Sequence, residues 1–265
     1  MLSNLKTFYE GSVCVVTGAT SGNGEAVAKL LLKLGAEVHG IGRNQKKLDE
    51  LARRGIFSHS CDISKRDQVA KTVSELPSRI DYFFHLAGNA VIGEFTLDDT
   101  LNMWNSDYNG PINLLRSLFP RITSGGGVGL VTSASAGMQN INEIALYQEV
   151  KRTFADSVCG FRSAFEEKYL GLTLISMGVV DTDIWNRTPR MPKITGAAVR
   201  FLIPGPGFWA PRILKDVANH RPVSYPGIGA CFAPVSSDGQ YQTNPYVEKI
   251  ASEIVRFWFK KFPPT

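Results

Sequence analysis

The chain alternates short apolar runs with segments whose apolar residues lie three and four apart. Residues 12–17 (SVCVVT) hold an apolar run of strand length, the pattern of a strand buried on both faces. In residues 24–34, Val27, Leu30, Leu31 and Leu34 recur at helical spacing and predict an amphipathic helix. The alternation continues, with strands expected at 37–41, 56–60, 81–86, 127–132 and 172–176. Helices are expected at 45–54, 65–76, 97–119 and 144–169. Strands that take turns with helices predict an α/β fold, a doubly wound parallel sheet with helices on both faces. No internal repeat or linker divides the chain, so residues 1–265 read as a single domain.

After Gly178 the rhythm breaks. Pro189, Pro192, Pro204 and Pro206 interrupt a stretch rich in apolar and aromatic residues, among them Phe201, Leu202, Phe208 and Trp209. It reads as a flap over about 183–210, followed by a helix at 211–219, a last strand at 223–225 and a closing helix at 246–259. Ligands of doubly wound sheets bind beyond the carboxyl ends of the strands. A flap after the sixth strand is placed to cover one, and its apolar side chains favour a hydrophobic substrate.

Composition narrows the function classes. With 43% hydrophobic and 20% charged residues, 265 residues suffice for a core without disulfide or metal staples. Cys14, Cys61, Cys159 and Cys231 form no CxxC pair, so no metal site is expected. Cys14 and Cys61 lie in strand-like runs and read as small core residues of a reducing compartment. The net charge of +5 is modest and scattered, which does not imply nucleic acid and suits an anionic cofactor equally well. No apolar run reaches bilayer length, and residues 1–11 hold no long apolar leader segment, so no transmembrane segment and a cytoplasmic home are expected.

The candidate chemistry begins directly after the first strand, at Thr17-Gly18-Ala19-Thr20-Ser21-Gly22-Asn23-Gly24. Gly18 permits a tight turn, and Gly22 and Gly24 let backbone approach a pyrophosphate at the N-terminus of the following helix. An ordinary strand-to-helix turn is the plainer reading. At the end of the second strand stand Gly42, Arg43 and Asn44, with no acid to hold ribose hydroxyls. Arg43 can fork onto a 2′-phosphate, so the cofactor expected is NADP(H); a solvated basic helix start is the alternative. Tyr147 and Lys151 are four apart and share one helix face. An ammonium group beside a phenol favours the phenolate, the form in which a tyrosine works as a base.

In order along residues 12–182 these motifs resemble the fingerprints of the short-chain dehydrogenase/reductase family. The resemblance implies strand order 3-2-1-4-5-6-7, a homodimer or homotetramer, and reversible reduction of a ketone to a secondary alcohol. Tyr147 would be the general acid/base and Lys151 would hold the nicotinamide ribose. It implies that Asp62 and Ile63 face the adenine, though Asp62 reads equally as a cap for the helix that begins near Ser64. Ala87 and Gly88 keep the small residues that lie along the cofactor ribose, and His85 reads as a structural residue. Val180 and Thr182 would meet the nicotinamide carboxamide, or simply form a turn and cap. Two positions depart from the pattern. The family's catalytic serine falls on Ala134, leaving Ser133, Ser135, Gln139, Asn140 or Asn142 as replacement donors; the family's supporting Asn is Asp107. These departures keep open a non-redox enzyme of the same fold (isomerase, dehydratase or cyclase) and a cofactor-binding pseudoenzyme.

Overall fold

The computed structural model describes residues 2–138, 141–182, 203–227 and Glu253. Seven strands are present among them: β1 Val13–Thr17, β2 Glu37–Gly42, β3 Phe57–Ser60, β4 Ile80–His85, β5 Ile122–Ser133, β6 Gly171–Met177 and β7 Val223–Ser224. They form one parallel sheet in the order β3-β2-β1-β4-β5-β6-β7, the doubly wound arrangement expected. The helices are α1 Leu2–Tyr9, α2 Gly22–Lys33, α3 Gln45–Ala52, α4 Arg66–Glu75, α5 Leu97–Trp104, α6 Gly110–Leu118, α7 Ala145–Gly160, α8 Arg162–Glu166 and α9 Pro206–Ala218.

The apolar runs are explained by the two layers they feed. Successive strand residues point to opposite faces. Val15, Phe83, Val128 and Leu174 pack on one face against Leu114 and Leu118 of α6 and Phe154 and Val158 of α7. Their neighbours Cys14, Val16, Phe84 and Ile175 pack on the other face against Val27 and Leu31 of α2 and Ile213, Leu214 and Val217 of α9. Burial pushes the Cys14 thiol up to about 12, which makes it an inert core residue.

Several boundaries differ from the sequence expectation. The helix expected at 97–119 is broken into α5, a π-helical turn Asn105–Asn109, α6 and a 3₁₀ turn Phe119–Arg121. Pro111 has no N–H to return to the carbonyl of residue 107, and the Gly110 N–H reaches back instead to the Asn105 carbonyl, widening the turn. The helix expected at 144–169 breaks after Gly160 into α7 and α8, at a residue that weakens helices. β5 starts at Ile122, earlier than expected, because Ser124, Gly125 and Gly126 mask its apolar character. The flap boundary also moves: residues 206–210 belong to α9, with Pro206 in its first turn and Ala210 buried. Residues 183–202, the expected closing helix at 246–259, Cys231, Gln139 and Asn140 lie outside the described residues, Glu253 alone excepted. Helix α1 was not expected; Leu5 and Tyr9 are its buried i,i+4 pair, and the Tyr9 hydroxyl donates to the Leu214 carbonyl at 2.8 Å. Among the described residues no helix is long and apolar enough to cross a membrane, and no cluster of His, Cys, Asp and Glu is arranged to hold a metal.

Candidate active site

A cleft of about 800 Å³ opens over the carboxyl ends of the strands. Its floor is the turn between β1 and α2. Gly18 has φ +69, and a Cβ there would stand 2.8 Å from the Ala87 nitrogen; a Cβ on Gly24 would stand 2.3 Å from the Gly18 carbonyl oxygen. No side chain fits at either point, so the turn lies flat against the β4 end and α2 starts close beneath it. The free N–H groups of α2 face the cleft, where Thr20, Ser21, Gly22 and Asn23 line the wall.

Thr17 ties this turn to β4. Its hydroxyl oxygen accepts the N–H groups of Leu86 (3.1 Å) and Ala87 (3.2 Å), which directs its own hydrogen to His85 Nδ1 at 2.9 Å. His85 is buried, and desolvation together with the Lys151 charge pushes its imidazole down to about 3. It is a neutral structural residue.

At the β2 end, a Cβ on Gly42 would sit 2.6 Å from Thr20 Cγ2. The Thr20 side chain fills the space in which a larger strand-end residue would stand. Arg43 reaches from this end towards the loop after β4, where its Nη2 donates to Asn89 Oδ1 at 3.4 Å. Asn44 lines the wall and caps α3 by accepting the Lys47 N–H at 3.1 Å. Asp62 also lines it, while its Oδ1 accepts from the Ser64 N–H (3.0 Å) and hydroxyl (2.8 Å). That is a local turn; the N-cap position of α4 is held by Lys65, whose side chain makes no capping hydrogen bond. Ile63, Ala87 and Gly88 complete this side of the wall.

At the other end, α7 brings Tyr147 and Lys151 to the wall. The Lys151 ammonium lies 5.8 Å from the Tyr147 ring centroid. Behind it, Asp107 Oδ1 pairs with Lys151 Nζ at 2.8 Å, both side chains almost wholly buried (0% and 4% exposed). Burial pushes the ammonium down, but the Asp107 carboxylate and Tyr147 push it up further, and it ends above its usual 10.5. The carboxylate is saturated: it also accepts the Asn89 N–H (3.0 and 3.3 Å) and the Ser106 hydroxyl (2.5 Å). A Cβ on Gly88 would lie 3.2 Å from Lys151 Nζ and 3.3 Å from Asp107 Oδ1, so a larger residue would crowd the pair. The Thr132 hydroxyl donates to the Lys151 carbonyl at 2.7 Å and fixes α7 to β5.

The sequence reading missed Asn89 and Ser106. Asn89 supports Asp107 through its backbone N–H, which leaves no trace in residue type; Ser106 shows only as a hydroxyl next to the acid. Ser133 is not brought to the cleft. Its hydroxyl hydrogen-bonds that of Ser135 at 2.8 Å, and β5 contributes Val131 and Thr132 to the wall, not Ser133, Ala134 or Ser135. Asn142 is exposed and away from the wall. Thr182 lines the cleft, against Gly22, while Val180 is buried beside it.

The family model described as short chain dehydrogenase matches residues 12–193. An uncharacterized oxidoreductase of Staphylococcus epidermidis is 28% identical over 187 residues, 66% of this chain and 81% of that protein. Among solved structures, a short-chain dehydrogenase from Burkholderia cenocepacia in complex with NADP superposes with a TM-score of 0.68 at 20% identity, covering 79% of this chain and 91% of that one. L-sorbose reductase from Gluconobacter frateurii, complexed with NADPH and L-sorbose, gives a TM-score of 0.70 at 19% identity, covering 81% and 93%.

Proposed function

Because the chain belongs to the short-chain dehydrogenase family, we propose that it is an NADP(H)-dependent oxidoreductase interconverting a ketone and a secondary alcohol on a hydrophobic substrate. The observation that carries this reading is that Tyr147 and Lys151 share one cleft with the glycine turn and Arg43. The cleft residues suit the cofactor. Gly18 and Gly24 leave backbone where a pyrophosphate needs it, α2 offers free N–H groups, and no acid at Gly42 repels a 2′-phosphate. Similar folds are known in complex with NADP or NADPH. When bound, the cofactor supplies or accepts the hydride.

The chain's own residues handle position and proton. Lys151, held charged by Asp107, keeps the rest of its ammonium donors for ribose hydroxyls. Tyr147 gives its phenolic proton to the carbonyl oxygen in reduction and takes a proton from the alcohol in oxidation. Val91, Met103 and Met177 line the wall with Tyr147 and favour an apolar substrate. A homodimer or homotetramer, as the family resemblance implies, completes this reading.

The test follows NADPH absorbance with a panel of hydrophobic ketones, and NADH in parallel. Consumption of NADPH in preference to NADH is expected. A protein that binds NADPH and turns over no carbonyl defeats the redox reading. One observation then favours a second reading: no serine hydroxyl from the end of β5 lines the cleft. That would leave Tyr147 to non-redox proton transfer.

A further inference from the structure

Resting on the NADP(H) reading, we propose that Asn23 is a cofactor-binding residue whose side-chain oxygen accepts a hydrogen bond from the carboxamide NH₂ of the nicotinamide. Asn23 is the second residue of α2 and lines the cleft. Its Nδ2 donates to Met177 Sδ at 3.7 Å. A thioether sulfur only accepts, so this contact sets which way round the amide stands: nitrogen to Met177, oxygen away from it. That oxygen, Oδ1, is buried and has no hydrogen-bond partner among the described residues. Buried polar atoms are nearly always paired, and one left over in a cleft wall asks for a donor from a ligand.

The place in the fold says which part of the ligand. Arg43 and Asp62 follow β2 and β3, on one side of β1. Asn23 leans the other way, onto the end of β6. Met177 pairs with Ser133 of β5, one residue beyond Thr132, whose hydroxyl holds the Lys151 carbonyl. Gly22, directly before Asn23, faces Thr182. A dinucleotide whose adenosine lies towards Arg43 therefore brings its reacting ring to the Asn23 side, beside Tyr147 and Lys151. A carboxamide offers two N–H donors there, and the unpaired atom is an acceptor.

Calorimetric binding tests this with three probes: NADP⁺; its 3-acetylpyridine analogue, which carries a methyl in place of the NH₂; and 2′,5′-ADP, which has no nicotinamide. Asn23→Leu keeps the size and removes the acceptor. Its affinity for NADP⁺ should fall by about three- to tenfold, while its affinities for the analogue and for 2′,5′-ADP stay at the wild-type values. Asn23→Asp keeps an acceptor and should preserve the wild-type ratio of NADP⁺ to analogue, whatever charge repulsion it adds to both. Should Asn23→Leu fail to bind 2′,5′-ADP, its fold is damaged, and Asn23→Ala with Asn23→Asp carries the comparison. Equal losses for NADP⁺ and the analogue, or no loss for either, overturn the proposal. A wild-type protein that binds neither dinucleotide overturns the NADP(H) reading itself, and this inference with it.

Discussion

At the β1 end of the cleft the site is made of backbone. Gly18 and Gly24 stand where a Cβ would come within 2.3–2.8 Å of other main-chain atoms, and no exchange of residue type is open to them. At the α7 end the site is made of side chains from separate elements: Tyr147 and Lys151 from α7, Asp107 from the π-helical turn and Asn89 from the loop after β4. Here the departures from the family pattern collect, Ala134 for a serine and Asp107 for an asparagine. A binding surface of main-chain N–H groups is fixed by its glycines. A constellation of side chains can be altered one group at a time without disturbing the sheet beneath it. Cofactor binding and chemistry should therefore be separable by mutation.

The largest expected effect is on the chemistry alone. Tyr147→Phe removes the proton donor and should lower NADPH-dependent carbonyl turnover by about 10²–10⁴-fold, with NADPH affinity unchanged in a direct binding titration. Loss of binding in this variant would show that the two halves are not separable. Next is the anchor of the reacting half. Asp107→Ala leaves the Lys151 ammonium buried without a counter-charge, and breaking such a pair costs about 3–5 kcal/mol, read as a lower midpoint in urea unfolding. Asp107→Asn should cost less, because its amide oxygen still accepts the Lys151 and Asn89 N–H groups. Equal losses for the two variants would mean that the acid's charge, rather than its hydrogen-bonding oxygen, holds the site.

The same contrast explains what the sequence made legible. The alternation of strands and helices, the glycine turn and the Tyr147–Lys151 pair were readable because each depends on local spacing: unbroken apolar runs for strands buried on both faces, glycine where a Cβ is forbidden, i,i+4 on one helix face. The strand order was legible only through the family resemblance. The break at Asn105–Asn109 was signalled only by Pro111, since the apolar spacing of residues 97–119 runs on as one helix. The brace behind Lys151 was half legible. Asp107 stood at a recognisable position, but the Asn89 N–H and the Ser106 hydroxyl that saturate its carboxylate come from the tertiary fold. Ser133 shows the opposite failure. Its residue type suited the missing donor, yet its hydroxyl turns to Ser135, inside the 3₁₀ turn that ends β5.

The smallest expected effect lies where the two halves meet, at His85. Its ring is tied to Thr17 of the glycine turn and feels the charge of Lys151 on the other side. The folded protein holds this imidazole neutral down to about pH 3, against 6.5 for a free histidine. As pH falls below 6.5 the unfolded chain takes up a proton that the native state refuses, so stability falls from there until about pH 3; above 6.5 the group adds no pH dependence. One proton is worth about 1.4 kcal/mol per pH unit, or roughly 2–3 kcal/mol between about pH 6.5 and about pH 4.5. His85→Asn removes the titrating ring and leaves the Thr17 hydroxyl an amide to bond with. Urea unfolding of both proteins across this range should show the wild-type curve descending faster towards acid, with the gap between the two curves changing by that amount. Parallel curves would mean that the ring gains its proton within the fold. The junction of the two halves would then carry a charge, and His85 would belong with the reacting side chains and no longer with the scaffold of the turn.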